Sequence, residues 1–146
     1  MKKINILIVI LTLAIVAVSC ETYDDYNTDR KSVVGFSDPS KNINGVPEGG
    51  TKSSFANVFI SDVSNVDRTF SVIVVPVKDP LTNPPTATDN YTFDSTVVIP
   101  ANTRRGIVNI TAIDVSITSV RSYFALAIEG DTDIVSGGIV LVGVKN

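Results

Sequence analysis

The chain of 146 residues carries 12 Lys and Arg against 15 Asp and Glu, a formal net charge of −3. It has no histidine, no tryptophan and one cysteine, which excludes Ser-His and Cys-His catalysis, histidine-based zinc sites and any intrachain disulfide. The acid excess argues against a nucleic-acid partner, because phosphate affinity comes from clustered Lys and Arg.

Met1-Lys2-Lys3 places positive charge ahead of Ile4 to Val18, a stretch broken only by Asn5 and Thr12. Ser19 and Cys20 follow, and then the polar run Glu21-Thr22-Tyr23-Asp24-Asp25. A charged start, an apolar stretch and a small residue at the cut are the parts of a secretory signal. Ile4 to Ser19 is sixteen residues, short of the roughly 20 that a helix needs to span the bilayer hydrocarbon. Ala17-Val18-Ser19 would also suit ordinary signal peptidase, and Cys20 directly after it decides for a different route. Val18-Ser19-Cys20 resembles the lipobox of bacterial lipoproteins, although Ala17 stands where a larger aliphatic residue is usual. That resemblance implies a diacylglyceryl thioether on Cys20 and cleavage before it. Two or three acyl chains anchor stably where one does not.

Residues 1–19 are therefore read as the signal peptide, 20–31 as a lipidated cysteine with a flexible acidic tether, and 32–146 as one β domain. Removing 1–19 takes two lysines and no acid, leaving 10 basic and 15 acidic side chains and a net charge of −5. The tether, ETYDDYNTDRK, has no apolar periodicity and is dense in charge, as solvated linkers are.

From Ser32 onward, short apolar runs alternate with turn residues, the pattern of an all-β chain. Ser32 to Phe36 opens the series. Lys41 to Lys52, with Gly45, Pro47, Gly49 and Gly50, reads as an irregular loop. Ser53 to Ser61 should be a strand with Ala56, Val58 and Ile60 on one face and Phe55 and Phe59, with Asn57 between them, on the other. Phe70 to Val77 is a β-branched run expected near the centre of a sheet, with Pro76 where pairing ends. After a proline-rich segment come Tyr91 to Phe93 and Thr96 to Ile99. Gly106 to Ile113 turns Val108, Ile110 and Ala112 inward, and Tyr123 to Ile128 places Phe124, Leu126 and Ile128 on one face. Glu129 to Gly138 is turn-rich, and Ile139 to Val144 closes the chain. About seven strands at this spacing fit an immunoglobulin-like antiparallel β-sandwich.

Several pieces recur in order: Val34-Gly35-Phe36, Pro47-Glu48-Gly49-Gly50, Ala87 to Tyr91, Val97 to Asn102, Val108 to Asp114 and Phe124 to Ile128. Together they resemble the Calx-beta module and related domains of unknown function in Bacteroidota lipoproteins. The resemblance implies calcium held at one end of the sandwich, and its positions fall on Glu48, Asp89 and Asp114. Calcium takes six to eight oxygen ligands, and Asp114-Val115-Ser116 stands where the family has an acidic pair. Asp94-Ser95-Thr96 resembles the O-glycosylation triplet of that phylum, with Ser95 as acceptor. Glu21, Asp24 and Asp25 behind Cys20 resemble signals that send lipoproteins to the outer face of the outer membrane.

Other chemistry finds less support. Glu129, Asp131 and Asp133 lack the Gly and bidentate Glu of an EF-hand. Asp62 with Asp67, and Asp131 with Asp133, sit in turns where nothing raises one carboxyl's pKa for glycoside hydrolysis. Tyr23 and Tyr26 fall in the tether, Tyr91 at a sandwich corner, and Tyr123 faces outward. The sequence thus describes a non-catalytic, lipid-anchored surface protein without a cofactor beyond the implied calcium. Its β-sandwich serves as a binding or adhesion module for surface polysaccharide or neighbouring lipoproteins, or else as a spacer or a calcium-stabilised module. Cys20→Ser should give a precursor that incorporates no labelled fatty acid and is not processed as a lipoprotein. An unchanged acylated mass in that variant would remove the anchor assignment.

Overall fold

The computed structural model describes residues 30–146; the expected signal peptide, Cys20 and the expected tether up to residue 29 lie outside them. Ten strands form two five-stranded sheets. In chain order they are β1 (Ser32–Phe36), β2 (Ser40–Asn44), β3 (Thr51–Ile60), β4 (Arg68–Val75) and β5 (Tyr91–Phe93). β6 (Thr96–Ile99), β7 (Arg105–Ile113), β8 (Ser122–Ile128), β9 (Ile134–Ser136) and β10 (Val140–Lys145) complete them. The first sheet runs β5-β7-β3-β1-β9 and the second β2-β10-β8-β4-β6.

The alternation in the sequence builds the core directly. Ala56, Val58 and Ile60 of β3 and Val108, Ile110 and Ala112 of β7 are fully buried. They face Leu126 and Ile128 of β8 and Val140, Val142 and Val144 of β10 across the sandwich. Tyr91 of β5 lies flat on Phe124 of β8, with ring centroids 3.8 Å apart and planes 4° from parallel, so this stack joins the two sheets. Burial raises the pKa of the Tyr91 phenol above its ordinary value.

Three expectations are corrected. The sandwich has ten strands rather than about seven: the brief piece Tyr91–Phe93 is a strand of its own (β5), β2 runs from Ser40 into the supposed Lys41–Lys52 loop, and β9 lies inside the Glu129–Gly138 turn. Ser-Lys-Asn-Ile-Asn offers one buried residue, Ile43, and tertiary pairing supplies what propensity lacks. Those two strands also pair in parallel, β9 with β1 and β2 with β10, while every other strand pair is antiparallel. Finally, β4 is one strand from the edge and β8 takes the centre. Ile73 and Val74 of β4 are accordingly exposed, whereas Phe124 to Ile128 of β8 are buried on both faces. Pro76 does fall immediately after β4 ends.

β1 and β2 are one segment that leaves the first sheet at Ser37-Asp38-Pro39 and joins the second. The closing loop follows it closely. Gly137 donates its N–H to the Val34 carbonyl at 2.7 Å, and the Phe36 N–H donates to the Gly138 carbonyl at 2.8 Å. This contact requires a bare backbone at Gly35, where a Cβ would lie 2.5 Å from the Gly138 nitrogen. Because the obstacle is backbone rather than a flexible side chain, Gly35→Ala should destabilise the domain by about 1–3 kcal/mol. A lowered urea midpoint with an unchanged m-value would be the sign.

Candidate functional site

Of the three positions implied for calcium, only Asp114 is engaged, and it serves the backbone. Asp114, at the end of β7, accepts the Gly49 N–H on Oδ2 at 2.9 Å and the Ile117 N–H on Oδ1 at 3.0 Å. Gly49 has φ +62°, which an L side chain rarely adopts. Asp114 therefore pins the Pro-Glu-Gly-Gly turn to the loop after β7. Beside it, Asn90 is 3% exposed and accepts the N–H groups of both Val115 and Ser116 on Oδ1. Its Nδ2 donates to Ser116 Oγ at 2.8 Å. Glu48 and Asp89 are exposed. Among the described residues no group of three or more acids, cysteines or histidines comes together to hold a metal ion.

Three further acids are occupied locally. Asp131 accepts the N–H groups of Asp133 and Ile134, making a turn. Asp67 accepts the Ala101 N–H, and Asp62 pairs with Arg68 at 2.9 Å. Burial acts to raise the Asp62 pKa, but the hydrogen bonds from Arg68 and Ser32 and the Arg68 charge outweigh it, and the net shift is downward. Ser95 is exposed where the chain crosses from β5 in the first sheet to β6 in the second. Tyr123 is only half-buried, and it lines a depression of about 360 Å³ with Pro76 and Pro85 that contains no charged side chain.

The outer face of the first sheet is different. Its solvent-facing positions carry Val135 on β9, Val33 on β1, Phe59 and Phe55 on β3 and Ile107 on β7, exposed by 46, 42, 42, 47 and 54% respectively. Register makes them contiguous. Val33 pairs with Val135, and Gly35 pairs with Phe59, which puts Val33 diagonal to the Phe59 ring. Asn57 pairs with Ile107, so Ile107 is diagonal to both phenylalanines. Diagonal neighbours on one sheet face lie within reach of aromatic side chains. The result is an apolar row across four adjacent strands.

Phe59 forms a ridge on that face. On one side a depression of about 280 Å³ lies over Gly35 and Gly138, bounded by Val33 and Ser61. On the other a depression of about 230 Å³ is lined by Ser37, Asn57 and Arg105. Asn57 donates from Nδ2 to Asp38 Oδ2 at 3.3 Å, which orients its amide. Lys41 of β2 places its Nζ 4.9 Å from the centroid of the Phe55 ring. Sequence reasoning put both phenylalanines opposite the core face but drew nothing from it. The signal was there in Phe-x-Asn-x-Phe, three large or polar side chains on the solvent side of one strand.

No family model matches the chain, and no curated protein matches it. Solved structures share its fold. A Bacteroides ovatus protein proposed to bind carbohydrate superposes with a TM-score of 0.62 at 9% identity, over 77% of this chain and 36% of that one. EndoBT-3987 of Bacteroides thetaiotamicron, solved with a glycan product, gives 0.57 at 18%, over 73% of this chain and 28% of its own. The apo form of the Calx CBD1 domain gives 0.57 at 10%, over 80% of this chain and 97% of that domain. The fold is thus a Calx-beta-like sandwich, and the chain spans well under half the length of the two Bacteroides proteins.

Asn90 makes three hydrogen bonds from a buried position, each contributing about 1 kcal/mol. Asn90→Ala should lower stability by about 2–4 kcal/mol, and Asp89→Ala, at an exposed position one residue earlier, by less than about 0.5 kcal/mol. Thermal melts of the two variants check the contrast.

Proposed function

We propose that this protein is a non-catalytic, lipid-anchored binding module of the bacterial cell envelope, held by Cys20 in the outer membrane with its domain at the surface. The observation that carries the binding role is the apolar row Val135, Val33, Phe59, Ile107 and Phe55 on a solvent-facing sheet. A sheet face with no partner usually alternates polar residues outward, and a contiguous exposed apolar patch marks an interaction site. A spacer without a ligand has no need of it.

Surface polysaccharide is the ligand class the reading favours. Aromatic rings offer flat apolar area to the C–H faces of pyranose rings, and Asn57, Ser37 and Arg105 surround Phe59 with hydrogen-bonding groups. The fold is shared with a Bacteroides protein proposed to bind carbohydrate and with a domain-sized part of a protein solved with a glycan product. Both are much longer chains, of which this fold is one part. Exposed Ser95 remains an accessible acceptor for an O-linked glycan.

The test is a panel of neutral and acidic polysaccharides in affinity electrophoresis with the full chain in detergent. The wild type should be retarded by at least one polymer, and the double variant Phe59→Ser, Ile107→Ser by none. Both side chains face solvent, so the double variant should keep its melting behaviour within about 1 kcal/mol. Retention of binding in the folded double variant would move the site elsewhere.

A further inference from the structure

Resting on the carbohydrate reading, a second pattern on the same face specifies the ligand's charge. Each exposed phenylalanine of β3 has a cation beside it. Lys41 sits over the Phe55 ring at 4.9 Å. Arg105 is the direct cross-strand partner of Phe59 and lines the same depression. Among the described residues the one ion pair is Arg68 with Asp62, so neither of these cations is neutralised by a carboxylate there. Asp38 and Asp94, the acids hydrogen-bonded into this face, are each held by an asparagine amide, Asn57 and Asn109.

Phe55 and Phe59 lie four positions apart along β3, a spacing of about 13 Å. Asn57 projects between them on the same side. Two aromatic–cation units at that distance, joined by an amide, suit an extended polymer whose units repeat an apolar face and an anionic group. We infer that the outer face of the first sheet binds a uronate-containing polysaccharide laid along β3. Sugar C–H faces rest on Phe55 and Phe59, carboxylates meet Lys41 and Arg105, and hydroxyls meet Asn57. The Arg105 guanidinium can take a carboxylate in a bidentate fork, whereas Lys41 acts as a point charge. An acidic peptide is the weaker fit, since the face is shallow and lacks the deep pockets that hold peptide side chains.

The experiment measures binding of the full chain in detergent to polygalacturonate, alginate and hyaluronate, with dextran as the neutral polymer and poly-L-glutamate as the anionic peptide. At least one uronate polymer should bind, more weakly as salt rises, and neither dextran nor polyglutamate should match it. Arg105→Gln should weaken uronate binding about tenfold or more, and Phe59→Ser should weaken it comparably, with thermal melts confirming that both variants fold. Equal binding of polyglutamate, insensitive to Phe59→Ser, would overturn the inference in favour of a general anion surface. Binding to dextran unaffected by Arg105→Gln would overturn the acidic ligand and leave the carbohydrate reading standing. No retardation by any uronate polymer or by dextran would remove both.

Discussion

The kink at Ser37-Asp38-Pro39 is the constraint on which most of this structure depends. It carries one chain segment out of the first sheet as β1 and into the second as β2. A sandwich whose sheets share a strand cannot slide its layers independently. The two halves then recruit the end of the chain: β9 seals the edge beside β1, and β10 pairs with β2. Both pairings are parallel because the segment and the C-terminal region run the same way along the sandwich. Parallel pairs need long connections, and here the whole domain serves as that connection. Such non-local pairing makes folding slow relative to a helical chain of equal size.

The same kink assembles the candidate site. Ser37 borders both depressions beside Phe59, and Asp38 orients the Asn57 amide. By moving to the second sheet, the chain also brings Lys41 over the Phe55 ring. Gly35, whose bare backbone permits the approach of Gly137 and Gly138, leaves Phe59 without a side chain opposite it on β1. Fold and site therefore share their determinants: a change that straightened the kink would remove the cation from one ring and the hydroxyl from the other.

What the sequence revealed follows from where its information is stored. Period-two alternation in Ala56-Asn57-Val58-Phe59-Ile60 and in Gly106 to Ile113 reports burial directly, so both long strands and their core faces were legible. β2 and β9 were hidden because their pairing is dictated by distant partners and their sequences are turn-like or polar. The acids at the sheet end show a complementary case. A resemblance marked Glu48, Asp89 and Asp114 as ligands, but only contacts reveal that Asp114 holds two backbone N–H groups. Asn90, which does comparable work, looks in sequence like any loop residue. The exposed row on the first sheet lay between these cases: the outward residues of β1, β3 and β7 could be read from parity, while Val135 and the adjacency of the row required the register of four strands.

Register also explains why a binding face can arise on this sandwich without cost to the core. Inward positions of β3 and β7 are fixed by packing against β8 and β10, where a lost methylene is felt. Outward positions between them carry no such demand, so Phe55, Asn57, Phe59, Arg105 and Ile107 are free to be chosen for chemistry. A flat face of this kind offers limited affinity to any one stretch of ligand, because little of the ligand is enclosed. On the proposed reading the lipid anchor compensates: many copies confined to one membrane meet a repeating polymer together, and avidity rises with no new contact. A shallow face is then suited to the task, since weak individual contacts hold a long chain at the surface while allowing it to be passed on.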